Sequence, residues 1–207
     1  TKTRILKKLL ETDGYLSGQE LCEQLGVSRT AVWKYMKQLK EEGYEIEAVQ
    51  NKGYCLKDVP DVLGESEIKS RLHTRWAGQT LYYYDEIDST NTQIKRLAEE
   101  DAPHGTLAVA DYQSRGKGRR GRAWDSPHGS AIYMSILFRP EIRPDRASML
   151  TLVIGLSVTQ AIRSNLGLQA QIKWPNDVVL NGKKLVGILT EMSAQMNYIE
   201  YLVTGIG

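Results

Sequence analysis

The chain has 207 residues, 41% hydrophobic and 25% charged, ordinary values for folded protein that exclude disorder and fibrous repeats and leave room for one or two cored units. Its longest apolar run, residues 149–158, is broken by Thr151, Gly155 and Ser157 and falls short of the ~20 residues of a bilayer span, so no membrane span is expected. A formal net charge of +2 says little about partners, and the placement of the cations says more.

Ile5, Leu6, Leu9 and Leu10 recur at helical spacing opposite Arg4, Lys7 and Lys8, and Gly14 stops this first helix. Ser17 and Glu20 have the spacing of a capping box for a second helix carrying Leu21 and Leu25 and ending at Gly26. Ser28 caps a third helix whose buried stripe is Val32, Met36 and Leu39. Its other face presents Arg29, Thr30, Trp33, Lys34, Lys37 and Lys40 with no acid between Ser28 and Lys40, which suits a major groove and its phosphates. The plainer alternative is a solvated face. Residues 44–49 and 53–56 read as paired strands around Gln50-Asn51-Lys52, placed where a wing follows a recognition helix, with Lys52 at the tip. The expectation is a winged helix-turn-helix DNA-binding domain over residues 1–60, with Ser28, Arg29, Thr30, Trp33, Lys34, Lys37 and Lys52 as candidate contacts.

Asp58-Val59-Pro60-Asp61 reads as a linker, since proline breaks helix and strand pairing alike, and a second domain is expected over residues 64–207. There, helices are predicted over 66–72, 91–100 and 147–165, and strands over 80–84, 106–112, 131–138, 171–174, 178–180, 184–191 and 198–204. Asn181-Gly182 is a strong hairpin signal, and strands that follow one another by hairpins favour an α+β fold with an antiparallel or mixed sheet.

Residues 115–122 interleave Gly116, Gly118 and Gly121 with Arg115, Lys117, Arg119, Arg120 and Arg122, without an acid. Glycine lets backbone N–H groups approach a ligand while the cations suit carboxylate and phosphate oxygens, so the segment reads as an anion cradle. It satisfies the letters of the dinucleotide fingerprint, but Ala123-Trp124-Asp125-Ser126-Pro127 is poor material for the helix that fingerprint requires, and no Walker loop is present. The bland alternative is a solvated basic loop. Against it stand Trp124, able to stack or close a pocket, and Lys173-Trp174-Pro175-Asn176-Asp177 followed by Lys183-Lys184, which bring cations, an amide and a carboxylate to one strand end. Cys22 and Cys55 lack partners at ligand spacing and support neither a metal site nor a disulfide. Thr1-Lys2-Thr3-Arg4 passes straight into the first helix without the apolar core of a secretory signal, so a cytoplasmic location is expected.

Four segments, 88–91 (Asp-Ser-Thr-Asn), 113–124, 173–177 and 184–189, resemble in order and spacing the bacterial biotin protein ligases. With the N-terminal winged helix, the chain looks like the bifunctional type, in which the ligase is also the biotin operon repressor. The resemblance implies a central mixed-sheet domain of the class II synthetase and biotin ligase type. The family pattern continues past Gly205 and Gly207 into further sheet and helix and a small C-terminal barrel, so the ligase domain is expected to be incomplete here. It implies biotin, ATP and Mg²⁺ as reactants and cofactor, and biotin carboxyl carrier protein, operator DNA and a homodimer formed with biotinyl-5′-AMP as partners. Carried over residue by residue, Ser89, Thr90, Asn91, Gln113, Gly116, Lys117, Gly118, Arg119, Lys184, Gly187 and Gly205 surround biotin. Arg119, Arg120, Arg122, Trp124, Asn176 and Lys184 surround the adenylate. Arg119, Lys184 and Asp177 carry the chemistry, Asp177 by orienting the incoming lysine or assisting with metal, or else as a plain turn carboxylate; metal ligands stay unassigned. Rival readings are a non-enzymatic biotin-sensing repressor, a lipoate ligase relative and a purely nucleic-acid-binding protein.

Overall fold

A computed structural model describes all residues, Thr1–Gly207, and divides them into two compact units, Thr1–His73 and Thr74–Gly207.

In the first unit, helices α1 (Lys2–Glu11), α2 (Gly18–Leu25) and α3 (Arg29–Glu41) precede a hairpin of β1 (Glu45–Val49) and β2 (Gly53–Asp58). Ile5, Leu6, Leu9, Leu21, Leu25, Val32, Met36 and Leu39, the stripes read from periodicity, close on one core with Tyr44 and Ile46. Leu16 exchanges two backbone hydrogen bonds with Tyr54 and so adds a one-residue third strand to the wing. The capping box forms by half. Ser17 Oγ accepts from the Gln19 N–H at 3.2 Å, but Glu20 accepts from Gln24 instead of turning back to Ser17, the two side chains being one helical turn apart. Ser28 caps α3 through the Ala31 N–H at 3.2 Å.

Helix α4 (Glu65–Arg71) packs on α1, and the Tyr44 hydroxyl donates to Glu67 at 2.6 Å. The structural boundary therefore lies at His73/Thr74, whereas the linker-like composition of residues 58–61 assigns this helix to the larger domain. Pro60 ends β-pairing as expected, but it does not end the first unit, because a long-range contact between α4 and α1 decides membership.

The second unit is a seven-stranded mixed sheet, β3 (Leu81–Ile87), β4 (Leu107–Gln113), β5 (Tyr133–Phe138), β6 (Gln171–Lys173), β7 (Asp177–Leu180), β8 (Lys183–Ala194) and β9 (Ile199–Ile206), in the order β3-β4-β5-β9-β8-β7-β6. Only β3 and β4 run parallel, joined by helix α5 (Thr90–Glu99); the remaining pairs are antiparallel. The fold is α+β, and Asn181 and Gly182, both at positive φ, make the β7–β8 hairpin.

Successive residues of β9 show how the helices are placed. Val203 packs with Ile94, Leu97 and Leu137 beneath α5, whereas Leu202 packs with Ala147 and Leu150 of helix α6 (Ala147–Leu166), so the two helices cover opposite faces. With its leading turn, α6 forms a 23-residue segment, Pro144–Leu166, long and apolar enough by composition to cross a membrane, although its uninterrupted apolar run falls short. The intervening Thr151 is turned to the sheet, bonding Thr190 at 2.9 Å, while Met149, Val153 and Leu156 are exposed. β7 pairs with β8 as far as Gly187 and Asn176 bonds both backbone groups of Ile188, which leaves Leu189–Ala194 without a strand partner on that side.

Candidate functional site

The anion cradle is a closed hairpin. Gly118 N–H donates to Arg122 O at 2.7 Å and Trp124 N–H to Gly116 O at 2.9 Å, and a single 3₁₀ turn, Arg119–Gly121, forms the tip with Arg120 at φ 58°. No α-helix opens at the third glycine, as the residues after it required. Gly116 is there for space: a Cβ would overlap Trp124 O and lie 2.8 Å from Ser126 Oγ. Ser114 N–H donates to Ile87 O and Arg115 N–H to Asp88 O, tying the hairpin base to the strand that precedes α5.

The hairpin overhangs a cleft of about 520 Å³. Its floor comes from the start of α5 (Ser89, Thr90, Asn91) and the end of β4 (Gln113), all four buried. β8 contributes Lys184, Gly187, Ile188 and Leu189, β9 contributes Gly205, Ile206 and Gly207, and the β6–β7 turn contributes Trp174, Pro175, Asn176 and Asp177. Of the residues read from sequence as biotin, adenylate or chemical contacts, all line this one cleft except Gly116, which lies in the base of the hairpin against Trp124 O and Ser126 Oγ.

The two ends of the cleft differ. The floor is uncharged, and its hydroxyls and amides are linked: Gln113 Oε1 accepts from the Thr90 N–H at 2.8 Å, and Gln113 Nε2 donates to Ser126 Oγ at 2.8 Å. The mouth carries Lys117, Arg119, Arg120, Arg122 and Lys184 against one lining acid, Asp177. Arg119 donates to Asn176 Oδ1 at 2.6 Å, which spans the hairpin to the β6–β7 turn. Lys184 Nζ lies 2.9 Å from Asp177 Oδ1 and 4.9 Å above the Trp124 ring; the Asp177 contact is ionic and lacks hydrogen-bond alignment, so Oδ1 is a buried acceptor without a directed donor. The buried Trp124 Nε1 likewise has no acceptor. Its ring rests against Gly187 and Gly207, where added Cβ atoms would sit 2.7 Å away.

Asp88, first of the Asp-Ser-Thr-Asn run, does not line the cleft. It accepts from Arg96 at 2.6 Å and from the Ser89 N–H at 2.8 Å, and chiefly the Arg96 guanidinium holds its carboxyl below the ordinary range. On β4, Asp111 accepts from His128 at 2.8 Å and from the Gly129 N–H at 3.0 Å; these bonds lower its pKa in that order.

Sequence reasoning missed Met134, Ile188, Leu189, Ile206 and Gly207 in the lining and Ser126, Ser135, Lys95 and Glu191 behind it. Ser135 had a signal: it is a polar residue on the inward phase of an alternating strand. In the first unit Arg29, Thr30, Trp33, Lys34 and Lys37 share the exposed face of α3, and Lys52 is exposed on the wing. Ser28 is exposed too, with its oxygen engaged as the cap.

Fold and cleft together define a helix-turn-helix unit joined to an α+β unit of the ligase type. A helix-turn-helix domain model matches residues 1–55, and the biotin/lipoate A/B protein ligase family model matches residues 83–207. The chain belongs to the biotin/lipoate A/B protein ligase family. It is 47% identical over 193 residues to the bifunctional ligase/repressor BirA of Bacillus subtilis, covering 93% of this chain and 59% of that protein. With BirA of Escherichia coli the figures are 36% over 200 residues, 96% and 60%, so the chain spans about 60% of the length of these relatives. Among solved structures it resembles the Aquifex aeolicus biotin protein ligase in complex with biotin and ATP (37% identity, TM-score 0.51, 62% of this chain and 51% of that one). The Leishmania major ligase in complex with biotinyl-5-AMP is similar at 25% identity (TM-score 0.53, 62% and 56%).

Proposed function

We propose that this protein activates biotin with ATP, transfers it to a lysine of a biotin carboxyl carrier protein, and represses the biotin operon when biotinyl-5′-AMP is bound. The observation that carries the reading is the polarity of the cleft, a buried uncharged floor suited to a ureido ring beneath a mouth of five cations suited to a carboxylate and phosphates. The match of this chain to both a helix-turn-helix and a ligase model, and its similarity to proteins named bifunctional ligase/repressor, support the combination.

In the first step the biotin carboxylate oxygen attacks the α-phosphorus of ATP; the bond to the bridging oxygen breaks and pyrophosphate leaves. A carboxyl group with a pKa near ~4.3 is already ionised at neutral pH, so no general base is required. The demand is for alignment and for positive charge over the phosphates. Arg119 and Lys184 are assigned the developing charge, Arg120 and Arg122 the phosphate oxygens, and Trp124 and Asn176 the nucleotide. Ser89, Thr90, Asn91, Gln113, Gly116, Lys117, Gly118, Gly187 and Gly205 form or shape the biotin end. Mg²⁺ would arrive with ATP and would offset the negative charge of its phosphates. Asp177 Oδ1, buried and without a directed donor, is the group of this chain fit to meet the metal or its waters. In the second step the carrier's neutral lysine amine attacks the acyl carbon, AMP leaves as the acid component of the mixed anhydride, and an amide forms.

For repression, α3 and the wing are assigned to operator DNA through Arg29, Thr30, Trp33, Lys34, Lys37 and Lys52, with Ser28 at the helix start. The homodimer is assigned to the open β8 edge, Leu189–Ala194, and the nearby loops at 143–146 and 194–197, since an unpaired strand edge is a ready surface for pairing. Incubating the protein with biotin, Mg-ATP and a carrier domain should put one biotin on the carrier lysine. Biotin-dependent repression without label transfer would favour the non-enzymatic sensor, and transfer of lipoate in place of biotin would favour the lipoate ligase reading.

A further inference from the structure

Behind the cleft floor runs a chain of hydrogen bonds that ends on an ion pair. Lys95 Nζ donates to Glu191 Oε1 at 2.6 Å, and Asn91 Nδ2 donates to Glu191 Oε2 at 2.8 Å, so both carboxylate oxygens are engaged. Burial pushes the Glu191 carboxyl up, but the bonds from Lys95 and Asn91 outweigh it and hold it below its ordinary value. Neither Lys95 nor Glu191 lines the cleft.

This anchor orients the Asn91 amide and, through it, the Ser135 hydroxyl. With its NH₂ end on the carboxylate, the Asn91 amide turns Oδ1 to Ser135, 2.6 Å away, while β9 presses it from the other side at Gly205, where a Cβ would overlap Oδ1. A carbonyl oxygen only accepts, so the single hydroxyl hydrogen of Ser135 goes to Asn91. Ser135 Oγ, 2.7 Å from Thr90 Oγ1, then has no hydrogen left for Thr90 and can only accept there. Gln113 Oε1 is meanwhile fixed as an acceptor by the Thr90 N–H. Gln113 Oε1, 3.0 Å from Thr90 Oγ1, is the other acceptor in reach of the Thr90 hydroxyl hydrogen, and when the shorter contact to Ser135 takes it both oxygens turn lone pairs to the cleft that a ligand N–H can satisfy.

We infer that Lys95 and Glu191 are positioning residues that set the hydrogen-bond polarity of the cleft floor, so that it selects a ring bearing N–H donors over the same ring with those nitrogens alkylated. The inference rests on the biotin reading above, whose ureido ring carries two such donors. In Glu191→Gln one carboxylate oxygen becomes an NH₂ group facing a donor, the Asn91 amide is free to turn over, and Thr90 is released to give its hydrogen to Gln113.

Calorimetric titration of the full chain with biotin and with its ureido N-methylated analogue tests this. The unaltered protein should prefer biotin, and in Glu191→Gln and in Lys95→Met biotin should weaken about tenfold while the analogue does not, so that the preference falls by the same factor. Lys95→Arg, which keeps the donor, should restore it, and ATP affinity should stay unchanged in all three. Variants that keep the wild-type preference, or that lose both ligands equally, overturn the positioning role. Absence of any biotin binding by the unaltered chain would instead overturn the biotin reading itself, and this inference with it.

Discussion

Replacing Lys184 with alanine is expected to slow formation of biotinyl-5′-AMP by about 100- to 1000-fold, the loss typical when one preorganised group facing transition-state charge is removed. The side chain reaches over the Trp124 ring to the mouth of the cleft, where its Nζ has Asp177 as its only acid partner. That pairing is partly exposed and contributes little to stability, so the variant should fold as the unaltered protein does. Quenched-flow measurement of pyrophosphate release from biotin and Mg-ATP reads the effect. The loss should fall on the rate at saturating biotin, because the charge Lys184 faces is larger in the transition state than in bound ATP. A variant that keeps the wild-type rate removes Lys184 from the catalytic group.

Changing Arg29 and Lys34 together to alanine should weaken operator binding by about ten- to 100-fold and lower the slope of log affinity against log salt by about 2, one unit for each phosphate that is no longer neutralised. Both residues are exposed on α3 and clear of its buried stripe, Val32, Met36 and Leu39. Arg29 has a local partner in Gln19, which holds it across the α2–α3 turn, and Lys34 has none among the ion pairs. Fluorescence anisotropy on an operator duplex across a salt series is the measurement. Unchanged affinity and slope would take α3 out of the groove and leave it a solvated face.

The legibility of this protein from its residues varies with the range of the interactions involved. Helix stripes such as Ile5, Leu6 and Leu9 and the Asn181-Gly182 turn are local signals, and they place elements within a few residues of their observed bounds. The gathering of Ser89, Gln113, Arg119, Asn176 and Lys184 into one cleft is legible only through the family resemblance, since nothing in residue spacing brings α5, the hairpin and β8 together. Three features escape. Helix α4 joins the first unit through Tyr44, Glu67 and α1, a contact that periodicity does not encode. Glu20 has the spacing of a capping partner, yet a competing Gln24 one turn on takes its carboxylate. Glu191 reads as one more strand residue, although it is the anchor of the cleft floor, because its partners Asn91 and Lys95 lie 100 and 96 positions away. Only the register of β8 against β9 and the seating of α5 on that face bring them together.

On the proposed function, the cationic hairpin at residues 115–122 closes over the anionic parts of a biotin–nucleotide conjugate. Adding authentic biotinyl-5′-AMP to the protein, with hydrogen exchange followed residue by residue alongside calorimetry, tests this most directly. Heat of binding is expected together with slowed exchange of the amides from Arg115 to Arg122. No heat, and exchange in that segment as fast as before, would contradict it.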